Sequence, residues 1–178
     1  MIRIRSANQG DATAIAALHA QSWRIAYRGI LSDQYLQHDL DQDRCTDWQK
    51  RFANPEPNQY VIVAEDSDAP TELLGFACAY GQFDIEVGTL IENLHAHPQR
   101  KKSGIGRMLL RHIAQWSLDR YPDDAMHLWV LEQNTAAIGF YQHLGAVEDM
   151  QSIWDAPGGT EVPEFRYTWY KPAQLLER

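Results

Sequence analysis

Apolar and polar positions in the first half of the chain recur at two different spacings. Residues 2–5 alternate one by one, as in a strand with one buried face, and an alanine-rich segment then follows turn and cap residues, as at the start of a helix. Short apolar runs bounded by turn residues are typical of buried strands. The pattern predicts a strand at 2–5, helices from 12 to about 27 and from 32 or 33 to 53, and strands at 60–64, 73–80 and 89–97, with a hairpin loop at 65–71.

The second half of the chain predicts two helices set between strands. From Ile105 onward, apolar residues recur four, four and three positions apart, which marks the buried stripe of a helix at about 104–118. Asn134 is placed to cap a shorter helix that runs to Leu144 and ends at Gly145. Strands are predicted at 126–131, 147–154 and 165–170, the last two as a closing antiparallel pair around the turn-rich residues 155–159.

Length and charge narrow the class of protein. The 178 residues fit one domain, 1–178, with 44% apolar residues to form its core. A formal charge of −8 opposes nucleic-acid partners, and no apolar run is long enough for a membrane span or a secretory signal, so we expect a cytoplasmic protein. Cys45 and Cys78 lie far apart and suggest neither a disulfide framework nor a thiolate metal site.

The segment from Pro98 to Arg107 joins a predicted strand to a predicted helix. A helix start presents unpaired amides and about half a positive charge, and Gly104 and Gly106 let a ligand approach the backbone. We therefore expect it to bind an anion, although a glycine-rich loop with solvated lysines has the same composition. Its mobile positive charges are Arg100, Lys101, Lys102 and Arg107.

Two familiar phosphate-binding loops do not match this segment. A Walker A loop needs Gly-x-x-x-x-Gly-Lys-Ser/Thr, a string that the chain lacks. A dinucleotide fingerprint needs a third small residue three positions beyond Gly106, where Leu109 stands, and it lies at the first strand–helix turn of its unit. Both alternatives are therefore disfavoured.

A second set of motifs follows the loop by about thirty residues. Lys101-x-x-Gly104-x-Gly106 after a strand, then Asn134 and Phe140-Tyr141-x-x-Leu144-Gly145, resemble the GNAT superfamily of N-acetyltransferases in order and spacing. Residues 22–30 look like the opening helices of many bacterial members. The resemblance implies an α/β (α+β) fold, with a GNAT-like seven-stranded mixed, mostly antiparallel sheet flanked by about four helices. The sheet is expected to be splayed between strands 89–97 and 126–131, with acyl-CoA in the split.

The resemblance also implies which residues hold the cofactor, acetyl-CoA, as acyl donor. The family usually has Gln or Arg where Lys101 stands, so the charge is kept while side-chain hydrogen bonding differs. Asn134 is expected to bind the cofactor as well. The backbone of Leu94, His95 and Ala96 is expected to pair with pantetheine, and Lys102, Ser103, Gly104, Ile105, Gly106 and Arg107 are expected to hold the pyrophosphate.

The reaction needs an uncharged amine and a protonated leaving thiolate. Tyr141 is the candidate acid, although Phe140 and Tyr141 also fit as neighbouring core aromatics. Glu92 is the candidate base, because strict alternation would place it on the same strand face as Leu94, two residues later. A rim carboxylate, an ion-pair partner and a water relay are the alternatives for Glu92.

Other aromatic and histidine residues leave alternatives open. Trp23 and Tyr27, with Tyr35, either line an acceptor pocket or belong to the core. His95 and His97 have no third ligand in view, so no metal is assigned. The tryptophans at 154 and 169 either cover the acceptor side or contact a second subunit of a homodimer.

Three functions fit these observations. The first is an N-acetyltransferase that moves an acetyl group from acetyl-CoA to a primary amine of a small molecule or peptide. The second is a non-catalytic acyl-CoA-binding regulatory module on the same fold, and the third is a binding domain for another phosphorylated nucleotide. The retained Tyr141 and the mismatched nucleotide loops favour the first, and the acidic chain suits a cationic acceptor.

Overall fold

The structure, a computed structural model, describes residues 1–100 and 102–177, apart from the side chains of residues 69–71. No helix in these ranges is long and apolar enough to cross a membrane. The helices are α1 Ala12–Ala26, α2 Leu40–Ala53, α3 Ile105–Arg120, α4 Thr135–His143 and α5 Gln174–Glu177. The strands are β1 Ile2–Ser6, β2 Gln59–Asp66, β3 Ala69–Asp84, β4 Gly88–Ala96, β5 Met126–Leu131, β6 Val147–Ala156 and β7 Thr160–Trp169.

The strands form one sheet in the order β1-β2-β3-β4-β5-β7-β6. Every neighbouring pair is antiparallel except β4 and β5. That parallel pair is joined at Thr89 with Met126 and at Leu90 with His127, and the two strands separate beyond those residues. The seven-stranded mixed sheet and its split between β4 and β5 are therefore confirmed.

Helices cover both faces of the sheet. The predicted stripe of α3 packs into the main apolar cluster, where Leu109 and Ile113 are fully buried. On the other face, α1 and α2 pack against β2 and β3 around Trp48 and Phe76, whose rings meet edge to face at 5.3 Å. The split between β4 and β5 therefore opens on both faces of the sheet. We call them the α3/α4 face and the α1/α2 face, after the helices that cover each one.

Several strands extend further than the apolar pattern predicts. Residues 65–71, expected to form a loop, instead continue β2 to Asp66 and begin β3 at Ala69. Likewise β7 begins at Thr160, five residues before the predicted strand at 165. Ladder hydrogen bonds join main-chain groups, so polar residues pair as well as apolar ones where the hairpin ends meet solvent.

Candidate functional site

The loop before α3 presents backbone amides to solvent. Lys102 and Gly104 both have positive φ, 64° and 81°, and no side chain of the described residues caps the helix at Gly104. The first amides of a helix have no partner within it, so these donors are open to a ligand. A Cβ atom placed on Gly104 would meet nothing within 4 Å, so the space over this turn is free. The geometry fits an anion at the helix start.

The loop residues differ in what they can offer such an anion. Lys102, Ser103 and Arg107 are exposed, whereas Ile105 is 2% exposed and packs into the core, so only its backbone is available. A Cβ atom on Gly106 would lie 3.4 Å from the ring of Phe140, so this glycine also lets α3 approach α4 closely. Lys101, expected to contribute charge, lies outside the described residues.

The end of β4 offers a second set of backbone groups. Leu94, His95 and Ala96 pair with β3 on one side, while the pairing with β5 ends at Leu90. Within the described chain, no strand therefore covers their other side. The His95 side chain contacts Ser22 through Nδ1 at 2.9 Å, and burial, with the charge of Arg44 adding, lowers its pKa to about 4.

Helix α4 carries Asn134 and Tyr141. The Asn134 side chain caps the helix by accepting from the Ala137 amide at 3.4 Å. Tyr141 is 8% exposed and packs edge to face on Trp169 at 5.9 Å. Its hydroxyl makes no hydrogen bond to any residue that the structure describes. Burial raises the pKa of Tyr141, and Tyr27 raises it further, so the phenol is neutral and free to donate.

A cavity of about 430 Å³ opens on the α1/α2 face at the split. Trp23 and Tyr27 line it, as one of the two sequence interpretations expected, whereas Tyr35 is buried in the core. Four carboxylates and two guanidinium groups share the cavity with four aromatic side chains. The lining residues are Trp23, Tyr27, Arg44, Asp47, Arg51, Glu92, Asn93, Trp129, Leu131, Trp154, Asp155, Pro157 and Glu164.

The guanidinium groups neutralise part of the negative charge. Arg51 contacts Asp47 at 3.1 Å and Glu92 at 3.4 Å, and donates to Asn93 at 3.0 Å. Arg44 contacts Asp47 at 3.7 Å. The carboxylates of Asp47 and Glu92 are therefore already paired, and the cavity keeps a surplus of negative charge.

The structure corrects the argument that placed Glu92 beside Leu94. A bulge in β4 pairs Cys78 with Asn93 and Ala79 with Ile91, which leaves Glu92 without a cross-strand partner. Glu92 and Asn93 consequently both reach Arg51 on the α1/α2 face, while Leu94 packs against the main cluster on the other face. An extra residue in one strand breaks the period of two on which the argument depended.

Comparisons with known proteins agree with this architecture. The sequence model described as acetyltransferase (GNAT) family matches residues 17–146. The chain belongs to the GNAT family. The resemblance inferred from the loop and from the residues around Tyr141 is thereby confirmed, and the chain is an acyltransferase.

Two relatives and one solved structure illustrate the similarity. The uncharacterized N-acetyltransferase YuaI of Bacillus subtilis is 32% identical over 146 residues, which are 80% of this chain and 78% of YuaI. The streptothricin acetyltransferase of Streptomyces lavendulae is 29% identical over 156 residues, 79% of each chain. The PaiA N-acetyltransferase of Thermoplasma acidophilum, solved with coenzyme A, superposes with a TM-score of 0.67 at 20% identity, covering 92% of this chain and 98% of its own. This last likeness shows the GNAT fold.

Several residues of this GNAT cavity were not singled out in the sequence. Glu164 precedes the predicted strand at 165, and Trp129 lies inside the predicted strand at 126–131, where nothing in the sequence pointed to a cavity. Among the tryptophans, Trp154 lines the cavity, whereas Trp169 is 2% exposed and donates to the Leu144 carbonyl. Had the predicted strand been extended to residue 160, alternation along β7 would have been the one signal that pointed to Glu164.

Among the described residues, no group of three or more His, Cys, Asp or Glu side chains is placed to hold a metal ion.

Proposed function

We propose that this GNAT enzyme transfers the acetyl group of acetyl-CoA to a primary amine of a cationic small molecule or peptide. The observation that carries the proposal is the pairing of two unlike surfaces at one split in the sheet. Open amides and basic side chains lie toward the α3/α4 face, and an acidic, aromatic cavity of about 430 Å³ lies on the α1/α2 face.

The donor side fits acetyl-CoA. Phosphates suit the uncapped start of α3, with Lys102, Ser103 and Arg107 exposed around it. The backbone of Leu94 and Ala96 is not paired with β5, so its hydrogen-bonding groups are available to the amides of pantetheine. Pantetheine would then pair with β4 as a neighbouring strand does. Asn134 already caps α4 through its oxygen, which leaves its amide nitrogen for the cofactor.

The acceptor side fits a cation. Four carboxylates face two guanidinium groups in the cavity, and aromatic rings surround them. Protonated amines are attracted both by carboxylates and by the faces of aromatic rings. The relative named for streptothricin supports a small-molecule acceptor without specifying the one that this enzyme uses.

The chemistry divides between two side chains and the bound donor. Acetyl-CoA supplies an activated acyl group whose thiol leaves on transfer. Tyr141 holds a neutral hydroxyl with no partner among the described residues, and we assign it the proton that the departing sulfur needs. Glu92 lines the cavity and is one candidate for the base that deprotonates the amine.

Two further features of the protein stay predictions. They are a single domain spanning residues 1–178 and a homodimer, and light scattering would test the homodimer.

A thiol-release assay over a panel of amines tests the function. The panel contains diamines, polyamines, aminoglycosides, amino acids and peptides with free amino termini, each with saturating acetyl-CoA. We expect release with cationic primary amines and none with their N-acetylated forms. Calorimetry with acetyl-CoA, CoA, ATP and NAD runs in parallel. Binding of acetyl-CoA without thiol release from any amine would favour the regulatory module, and preference for ATP or NAD would overturn the donor.

A further inference from the structure

Glu164 differs from the other carboxylates that line the cavity. Asp47 and Glu92 are paired with guanidinium groups, and Asp155 is exposed at the rim. Glu164 is half-buried, and no residue in the described part of the chain gives its side chain a hydrogen bond or an ion pair. A buried carboxylate ordinarily has such partners, so its lone pairs are available to a ligand.

The position of Glu164 is set by the split. It lies on β7 directly opposite Leu131, the last residue of β5, and therefore beside the strand that leaves β4. Glu92 lines the same cavity from β4, on the other side of the split. Tyr27, which lines the same cavity, interacts electrostatically with both Glu164 and Tyr141.

We infer that Glu164, rather than Glu92, accepts the proton of the acceptor ammonium group. The inference rests on the proposed function and adds a catalytic residue to it. Both glutamates reach the cavity, but the Glu92 carboxylate faces the Arg51 guanidinium at 3.4 Å and is 40% exposed. The Glu164 carboxylate has no partner among the described residues and is less exposed to solvent than that of Glu92, as a base for an alkylammonium requires.

The electrostatic surroundings support this choice. Burial raises the pKa of the Glu164 carboxyl, and the negative charge of Glu92 raises it further. A higher pKa makes a carboxylate a stronger base near neutral pH. Burial raises the pKa of Tyr27 to about 12, and the negative charge of Glu164 adds to that effect, so Tyr27 stays neutral beside Glu164. The titratable and charged groups that line the cavity with Glu164 are Tyr27 directly after α1, Arg44, Asp47 and Arg51 from α2, Glu92 from β4 and Asp155 from β6.

Acetyl transfer removes two protons from the ammonium nitrogen. The Glu164 carboxylate takes one proton from the ammonium, which frees the nitrogen lone pair. That pair forms the C–N bond to the acetyl carbon, and the C–S bond breaks with its electrons passing to sulfur. The Tyr141 hydroxyl protonates the sulfur and is restored by the second nitrogen proton. The proton on Glu164 leaves to water through the cavity, so the products are the amide, the free thiol and one proton.

The pH dependence of Glu164→Gln tests the inference. An alkylamine with a pKa of about 10 is uncharged in roughly one molecule in a thousand at pH 7. We expect kcat/KM of the variant to fall about a hundredfold or more at pH 7, and the deficit to shrink to within about tenfold near pH 9.5, where the amine loses its own proton. For the same reason, an acceptor whose amine has a low pKa should show little deficit at any pH.

Three further variants make the result specific. Glu161→Gln is the same change on the same strand at an exposed position outside the cavity, and should stay within twofold of wild type. Glu92→Gln should raise KM and shift the acid limb of the pH profile slightly to lower pH, because its charge adds to the raised pKa of Glu164, but should not produce the deficit at pH 7 that disappears near pH 9.5. Glu164→Asp should recover part of the lost rate. A thermal shift with acetyl-CoA equal to that of wild type shows that each variant is folded.

The outcomes separate the inference from the function beneath it. A wild-type pH profile in Glu164→Gln, or transfer of the whole effect to Glu92→Gln, would overturn the role of Glu164 while thiol release by the wild-type enzyme still supports acetyl transfer. A KM increase of equal size at every pH would make Glu164 an acceptor-binding residue and not the base. Absence of thiol release by the wild-type enzyme with every amine would overturn both.

Discussion

Replacing Tyr141 by Phe removes one hydroxyl and keeps the ring that packs on Trp169 at 5.9 Å. The hydroxyl has no hydrogen-bond partner among the described residues, so its loss breaks no bond in the free protein. We therefore expect the free energy of unfolding to change by less than about 1 kcal/mol, the usual net value of one hydrogen bond. Affinity for acetyl-CoA should be equally unaffected.

The loss in turnover can be bounded from the environment of the phenol. An ordinary phenol lies about 1.5 pKa units above a thiol, so proton transfer to a thiolate is uphill by about 2 kcal/mol, and the raised pKa of buried Tyr141 makes it steeper. Tyr141 should therefore pass its proton to the sulfur only as the second nitrogen proton replaces it, and its contribution is bounded by that of a hydrogen bond to the developing thiolate. Hydrogen bonds to charged groups contribute about 1.5–3 kcal/mol, which corresponds to a loss in kcat of about 10- to 150-fold.

Steady-state kinetics with saturating acetyl-CoA measure this loss on the best acceptor. Tyr60→Phe is the matched control, because Tyr60 packs against the same apolar cluster from β2 and stacks on Trp116. A kcat of Tyr141→Phe within twofold of wild type would refute the assignment of Tyr141 as the acid. A normal kcat with a raised KM for acetyl-CoA would instead indicate a hydroxyl that only positions the donor.

Two other predictions concern the donor loop and the stability of the fold. Acetyl-CoA at a hundred times its Kd should raise the free energy of unfolding by about 2.7 kcal/mol. In a thermal-shift titration, Arg107→Gln should weaken binding about tenfold while the exposed Lys50→Gln on α2 does not, and equal affinities would remove Arg107 from the site. Arg5 donates to Asp11 at 2.8 Å and to Glu65 at 2.9 Å. Arg5 lowers the pKa of the Asp11 carboxyl, and Arg3, with Arg5 adding, lowers the pKa of the Glu65 carboxyl. Carboxyl groups with a lowered pKa add stability that is present above about pH 5 and is lost as the pH falls through their pKa values. In urea titrations, the free energy of unfolding of Arg5→Gln should therefore fall less steeply than that of wild type between about pH 5 and 3. An equal fall in the variant and the wild type would contradict this.

Local features of the sequence predicted much of the donor side. Open amides at a helix start follow from a glycine at the cap and from the hydrogen-bond pattern of any helix. Gly104 could therefore be placed from its neighbours alone, and the stripe beginning at Ile105 predicted which face of the helix is buried. The order of these motifs was also sufficient to identify the family, because their spacing along the chain reflects consecutive elements.

The acceptor side depended on contacts between residues far apart in the chain. A bulge arises from the pairing of β4 with β3, so the face on which Glu92 lies could not be read from β4 alone. The partners of Arg51 come from α2 and β4, 41 residues apart in the case of Glu92.

The chain by itself predicted the order of the helices and strands and the turn with open amides before α3, and it left open whether the aromatic side chains at 23 and 27 line a cavity or belong to the core. Only the tertiary structure decided which carboxylates are paired, and that the half-buried Glu164 beside the split has no partner among the described residues. The physical reason is that helix starts and apolar stripes depend on neighbours within a few residues. The burial and ion pairing of a side chain depend instead on distant strands and helices packed around it.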